Sequence, residues 1–482
     1  MRDMSLNLRK QMTNGLLWNS IDRFSNQGLS FIFSILIARI VSPSDYGVIA
    51  MLYVFTDIAQ VFVEGGITSA IVRKPDLSES DLSTAFFLNI GVAIFSYVLL
   101  FCIAPIVASF YRMPLVESVL RWTSVVLVLN SLCIVQQAKL TVDLDFKLQA
   151  KLTLVSTTMS GVVGIVMAYR GDGVWALVGQ MVSFSFFRAF LFWTYSRWKP
   201  KVVFSKESYR YLFGFGSKLL LANLQERIYN NLAPIVIGKF YSPTLLGFFS
   251  RAQGFAMLPA ANITSILQRV SFPILSRMQD DNEQLATNYR RILRMSAFLV
   301  FPLMLLLFSV ADPLVRIVLT DKWENTIPLL QILCFAMMLF PIQVINLNLI
   351  QVKGRSDLFL KLEVIKRLIG VAILFAMIPW GISAMCYGFV LSSAVSLVLN
   401  TYYTGKFIKL GLLIQLKDLL PMLLNSIVTG GIALFIVKLI DEDIISLIVA
   451  SCVGIIYYLG SSFLFKSPEL NEALQIIKRK KV

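Results

Sequence analysis

The segment Asn19-Ser20-Ile21-Asp22-Arg23-Phe24-Ser25-Asn26-Gln27 interrupts what otherwise reads as an apolar, membrane-spanning run. Its polar residues Asn19, Asp22, Arg23, Asn26 and Gln27 fall at i, i+3, i+4, i+7 and i+8, one stripe down one face of a helix. The pattern returns as Asn223, Glu226, Arg227, Asn230 and Asn231, at the same spacings and with matching chemistry. Charges inside a span are costly unless they face water, a ligand or a partner. Two such stripes at corresponding places in a duplicated chain therefore predict the facing walls of a cavity.

Composition supports the membrane setting. The chain has 482 residues, 57% of them hydrophobic, and a mean hydropathy of +0.73, outside the range of soluble domains. Apolar runs long enough to cross about 30 Å of hydrocarbon recur from end to end. Their breakers predict an all-α polytopic protein with about fourteen spans, near 15–41, 46–68, 83–110, 115–138, 150–170, 173–195, 210–240, 244–272, 290–319, 325–351, 360–379, 382–404, 414–438 and 443–465. Nothing at the amino terminus reads as a cleaved signal, because Asn14, Asn19, Asp22 and Arg23 interrupt the run after Lys10.

Lysine and arginine number 44 against 28 acidic residues, a net charge of +16. The excess crowds alternate joints. Lys139, Lys147 and Lys151 fall on one side, as do Arg197 to Arg210, Arg277 to Arg294, Lys353 to Arg367 and the Lys478 to Lys481 tail; the opposite joints hold one basic residue or none. By the positive-inside rule both termini are cytoplasmic, and the charge needs no nucleic-acid partner.

The chain repeats itself. Ser42-Pro43-Ser44-Asp45-Tyr46-Gly47 is echoed by Ser242-Pro243-Thr244-Leu245-Leu246-Gly247, the joint from Gln137 to Lys147 by the joint from Gln351 to Lys361, and Gly173-Val174-Trp175-Ala176 by Gly381-Ile382-Ser383-Ala384. Six spans separate equivalent points, so the halves share one orientation and are related by an axis along the membrane normal. This predicts a six-helix lobe over 1–196, a cytoplasmic linker over 197–210, a second six-helix lobe over 211–405, and two extra helices with a basic tail over 406–482.

Several chemistries are absent. There is no histidine, and Cys102, Cys133, Cys334, Cys386 and Cys452 each stand alone in an apolar run. No metal, cofactor or histidine-based catalysis is expected. Direct ATP coupling is not expected either, since Phe213-Gly214-Phe215-Gly216-Ser217-Lys218 is only superficially a phosphate loop.

The stripes suit anion handling. A guanidinium fork binds phosphate oxygens bidentately and stays charged in apolar surroundings. Asp22 against Arg227 and Arg23 against Glu226 would form cross-lobe pairs that close a gate, released when an anion competes for the arginines. Helix rise places Arg23 and Arg227 roughly 22 to 28 Å from the turns at Ser42 and Ser242, in the cytoplasmic half. Lys218, Arg23, Arg227 and Arg251 form a vertical series of cations, and Asn19, Asn26, Gln27, Asn223, Asn230 and Asn231 are candidates for sugar hydroxyls. In the second span Asp57, Gln60 and Glu64 share a face, making Asp57 and Glu64 candidates for a coupling proton or sodium ion. The competing reading makes these groups a hydrogen-bonded brace between helices.

Phe62-Val63-Glu64-Gly65-Gly66, Leu144-Asp145-Phe146-Lys147, Tyr241-Ser242-Pro243, Leu258-Pro259 and Val270-Ser271-Phe272-Pro273-Ile274-Leu275-Ser276, with the Ser42 to Gly47 turn, resemble the polysaccharide-export flippases of the multidrug/oligosaccharidyl-lipid/polysaccharide superfamily. The likeness is greatest to the colanic-acid and O-antigen branch. It implies a bacterial inner-membrane transporter, not an enzyme, that moves undecaprenyl-pyrophosphate-linked oligosaccharide to the periplasmic leaflet by alternating access. It also implies ion-gradient coupling and partners among other polysaccharide assembly proteins, with Arg23, Arg227 and Arg251 on the pyrophosphate. The alternatives are a drug or cation antiporter of the same superfamily and a membrane-embedded polymerase or glycosyltransferase. The last would need a longer loop than any joint provides.

Overall fold

The computed structural model describes residues 18, 23–74, 76–196 and 198–479, with the side chains of 215, 218, 222 and 476–479 excepted. Among these residues there are helices and no strands. The order is α1 (23–38), α2 (Pro43–Glu64), α3 (Ile67–Arg73), α4 (Glu79–Tyr111), α5 (Leu115–Val142), α6 (Phe146–Tyr169), α7 (Val174–Tyr195), α8 (Lys206–Phe240) and α9 (Pro243–Ser276). It continues with α10 (Asn282–Ser309), α11 (Ala311–Leu319), α12 (Thr326–Met338), α13 (Phe340–Val352), α14 (Ser356–Met377), α15 (Ile382–Ile408), α16 (Leu412–Leu439), α17 (Asp443–Leu464) and α18 (Pro468–Arg479).

Every predicted span falls on a helix or an abutting pair. Among the described residues, ten helical spans are long and apolar enough to cross a membrane. Of the others, α1 is short in its described part, and α8, α9 and α14 carry too many polar residues to qualify by apolarity.

Local chemistry sets the helix ends. Ser42 Oγ accepts from Asp45 N at 3.2 Å while the Asp45 carboxylate accepts from Ser42 N at 3.3 Å, and Ser78 with Asp81 repeats the arrangement at 3.2 and 2.9 Å. These capping boxes satisfy amides that the first turn leaves open. Gly65 and Gly66, with φ of 48° and 67°, separate α2 from α3.

The chain forms two compact units, one ending at Gly247 and the other starting at Phe248. In the first, α4 packs on α5, α6 on α7 and α5 on α7, while α8 packs against α2, α3 and α4. The sequence repeat puts α8 at the start of the second lobe, whereas its packing places it in the first unit. Glycine allows the closest approaches: a Cβ on Gly216 would lie 2.3 Å from the Gly65 oxygen. The two echoed turns meet reciprocally. A Cβ on Gly47 would lie 1.7 Å from the Pro243 oxygen, and one on Gly247 would lie 2.0 Å from the Pro43 oxygen. Small residues are what let helices reach backbone contact.

The second unit is built on α10, whose Tyr289, Leu293, Ala297 and Met304 are fully buried against α12, α13 and α16. Asn346 and Gln415 exchange amide hydrogen bonds at 3.1 Å, and Thr404 Oγ1 donates to Asn346 Oδ1 at 2.7 Å. This buried brace joins α13, α15 and α16. At its amino-terminal end α10 presents arginines to carboxylates: Arg290 to Asp418 through two bonds of 2.7 and 2.5 Å, Arg291 to Glu472 at 2.7 Å and Arg294 to Glu469 at 2.7 Å. Helices α16 and α18 are thereby tied to α10.

The joints also correct a register. Leu144 and Gly354 both take positive φ, 57° and 68°, just before α6 and α14. They align the joints four residues away from the match suggested by Gln137 and Gln351, a slip of one helical turn that leaves the same face patterned.

Leu144 is 44% exposed, so its left-handed backbone is not offset by much packing. Leu144→Gly is expected to stabilise the protein by about 1 kcal/mol, read as a higher thermal midpoint. Conversely, Gly47→Leu forces the α9 backbone aside and is expected to cost about 1–3 kcal/mol in the same measurement.

Candidate functional site

Helix α8 runs 35 residues, started by Ser205, whose side chain accepts from Ser208 N, and its length brings the second polar stripe alongside α2. Arg227 Nη1 lies 3.2 Å from Asp57 Oδ1. Asn231 Nδ2 donates to Asp57 Oδ2 at 2.8 Å and to the Arg227 carbonyl at 2.8 Å. Both carboxylate oxygens are thus engaged, one by a cation and one by an amide. The partners differ in burial. The Asp57 side chain is 9% exposed and that of Arg227 48%, so the anion is fixed inside while the guanidinium keeps donors open to a ligand.

The rest of the α2 stripe continues the network. Gln60 Nε2 donates to Glu64 Oε1 at 3.2 Å and Gln60 Oε1 accepts from Asn130 Nδ2, on α5, at 3.4 Å. Glu64 is exposed at the end of α2. On α1, Asn26 Oδ1 accepts from Thr157 Oγ1 of α6 at 3.1 Å, which makes Asn26 part of an inter-helix bond; Gln27 is half-buried. Arg23, Asn223, Glu226 and Asn230 are exposed. In the second unit the Arg251 guanidinium stands 5.8 Å from the ring centre of the buried Trp323, within cation–π range.

Arg227 is held by Asp57, because α8 packs directly on α2; its expected cross-lobe partner Asp22 lies outside the described residues. No ion pair joins Arg23 to Glu226 among the described residues, and both are exposed. Asn19 and Asp22 lie outside the described residues, and the Lys218 side chain is not described. Asn231, assigned to sugar hydroxyls, is buried on the carboxylate instead. Sequence reasoning also missed Trp323 and the Asn346–Gln415 pair. The signal for the pair was two lone amides in apolar runs; Trp323 carried none.

Comparison with known proteins follows the same direction. The family described as "Polysaccharide biosynthesis protein" matches residues 36–328. The teichuronic acid biosynthesis protein TuaB of Bacillus subtilis (strain 168) is 25% identical over 429 residues, 88% of this chain and 89% of that protein. The lipopolysaccharide biosynthesis protein WzxC of Escherichia coli (strain K12) is 24% identical over 405 residues, 82% of this chain and 81% of that one. Among solved structures, the lipid II flippase MurJ in an inward closed conformation superposes with a TM-score of 0.75 at 17% identity, over 94% of this chain and 99% of that one. An inward-facing multidrug resistance transporter of the MATE family gives 0.59 at 15% identity, over 82% and 99%. At such identities the structural likeness is one of fold.

A double-mutant cycle on Asp57→Asn and Arg227→Gln, read by denaturant unfolding in mixed micelles, is expected to give a coupling of about 1 kcal/mol, reduced from that of a closed pair because Arg227 is open to water.

Proposed function

This chain belongs to the polysaccharide biosynthesis protein family, and on that premise we propose that it flips undecaprenyl-pyrophosphate-linked oligosaccharide from the cytoplasmic to the periplasmic leaflet of a bacterial inner membrane. It works by alternating access, as a transporter and not an enzyme, within the assembly line for a surface polysaccharide. The reading includes fourteen crossings, cytoplasmic termini and two six-helix lobes with two further helices, and it expects coupling to a proton or sodium gradient and association with other assembly proteins.

The observation that carries it is the half-open guanidinium of Arg227 above a buried carboxylate. A cation kept inside an apolar helix bundle, with donors free to reach a ligand, suits a pyrophosphate. Arg23, exposed on α1, and Arg251, braced by Trp323, extend the cationic path, with Lys218 at its cytoplasmic end. Exposed Asn223 and Asn230, with Asn19 and Gln27, meet the sugar, while Asn26 and Asn231 support the walls. Asp22, Glu226, Asp57 and Glu64 are the acidic groups for gating and coupling.

The fold likeness to multidrug transporters favours a second reading, an antiporter for drugs or cations. Complementation separates the two. In a bacterial strain lacking its own flippase, the wild-type gene is expected to restore surface glycan; Arg227→Ala and Arg23→Ala, checked for membrane expression, are expected to lower it at least about tenfold each, as loss of a charge-assisted phosphate contact would. Normal export by both variants would remove the cationic path. Drug efflux without restored glycan would support the antiporter.

A further inference from the structure

Resting on that reading, we infer that an anionic ligand at Arg227 and a proton at Asp57 bind together, so that the cargo's pyrophosphate takes up a proton at this site and does not exchange for one. The geometry fixes the sign. Asp57 is buried, and among the described residues its charge is balanced by one guanidinium, that of Arg227, with Asn231 and Tyr53 supplying only dipoles. The Arg227 side chain is 48% exposed. An anion that draws the guanidinium outward strips the buried carboxylate of its countercharge, and an uncompensated buried charge is the costly state. A proton on Asp57 removes that cost and, in the same act, ends the carboxylate's hold on the arginine. Each event favours the other, and linkage makes the preference reciprocal.

Among the described residues, the helices packed on α2 offer no substitute cation. On α2, Tyr53 lies one turn before Asp57 and Glu64 two turns after, the latter acidic and taken by Gln60. On α4, Asp81 is paired with Lys74 and Glu79 accepts from Trp198, while Tyr97 and Tyr111 bring no cation. On α5, Glu117 holds Arg121 and Asp143 holds Lys139; on α7, Arg188 donates to Gln137. On α8, the nearest other ionisable side chain in sequence is Glu226, exposed and acidic. The consequence for transport is specific. A proton carried with the anion lowers the charge that crosses the membrane, and any counter-moving ion must bind at a group other than Asp57.

The test is calorimetric binding of farnesyl pyrophosphate to the full chain in nanodiscs, at one neutral pH in buffers of different ionisation enthalpy, with sodium held constant and then varied. The wild type is expected to take up a fraction of a proton per anion bound, independent of sodium. Asp57→Asn, which keeps the Asn231 contact but no charge, is expected to bind about fivefold tighter, the strength of a half-exposed ion pair, with no proton uptake. Asp57→Glu should restore uptake, so the wild type and this variant decide the matter even if Asp57→Asn is poorly folded. Unchanged uptake in Asp57→Asn, weaker binding by it, proton release by the wild type, or dependence on sodium in place of protons would each overturn the inference while leaving the pyrophosphate reading intact. Failure of the wild type to bind the probe would overturn both.

Discussion

A buried carboxylate between two membrane helices must be neutralised locally, and the contact of Asp57 with Arg227 and Asn231 is how this protein meets that requirement. The pairing holds α8 against α2, helped by glycines that let backbones touch where Gly216 approaches Gly65 and where the echoed turns meet at Gly47 and Gly247. Packing and polarity are thus two sides of one arrangement. Close approach brings the arginine within reach of the aspartate, and the ion pair gives a polar helix a reason to lie against an apolar one.

The second unit solves the same problem differently. One of its interior braces is built from neutral amides and a hydroxyl, those of Asn346, Gln415 and Thr404, and another is charged, the buried Lys366 on Glu363 within α14. Its arginines gather at the amino-terminal end of α10, where Arg290, Arg291 and Arg294 each find a carboxylate on α16 or α18. Both units keep a charge among their helices, Asp57 in the first and Lys366 in the second; what distinguishes Arg227 is its half-exposed side chain on a buried carboxylate, while Arg251 lies against the Trp323 ring.

Much of this was legible in the sequence. Apolar runs and their breakers located the helices because hydrocarbon thickness sets a length that few other constraints mimic. In both echoed Ser-Pro turns the serine side chain accepts from the backbone of the following helix, Ser42 from Asp45 N and Ser242 from Leu245 N. Partner choice was not legible. A stripe gives the face of a helix but not which neighbour the face meets, so the contact of Arg227 with Asp57 could not be read from symmetry. The slip of one turn at the Gln137 joint has the same origin, since a shift of four residues preserves the face. Trp323 lies in a short turn between helices, where periodicity carries no information.

Transfer across the bilayer is the central claim, and purified protein in vesicles can test it without other cell components. Undecaprenyl pyrophosphate bearing a short oligosaccharide labelled at its sugar end would be placed in both leaflets, and a membrane-impermeant quencher added outside. With a polarised, pH-buffered membrane, the protected half of the label is expected to become quenchable only in vesicles that contain the protein. A protected pool that stays constant in active vesicles, while a lipophilic cationic dye is moved across the same membrane, would contradict the account.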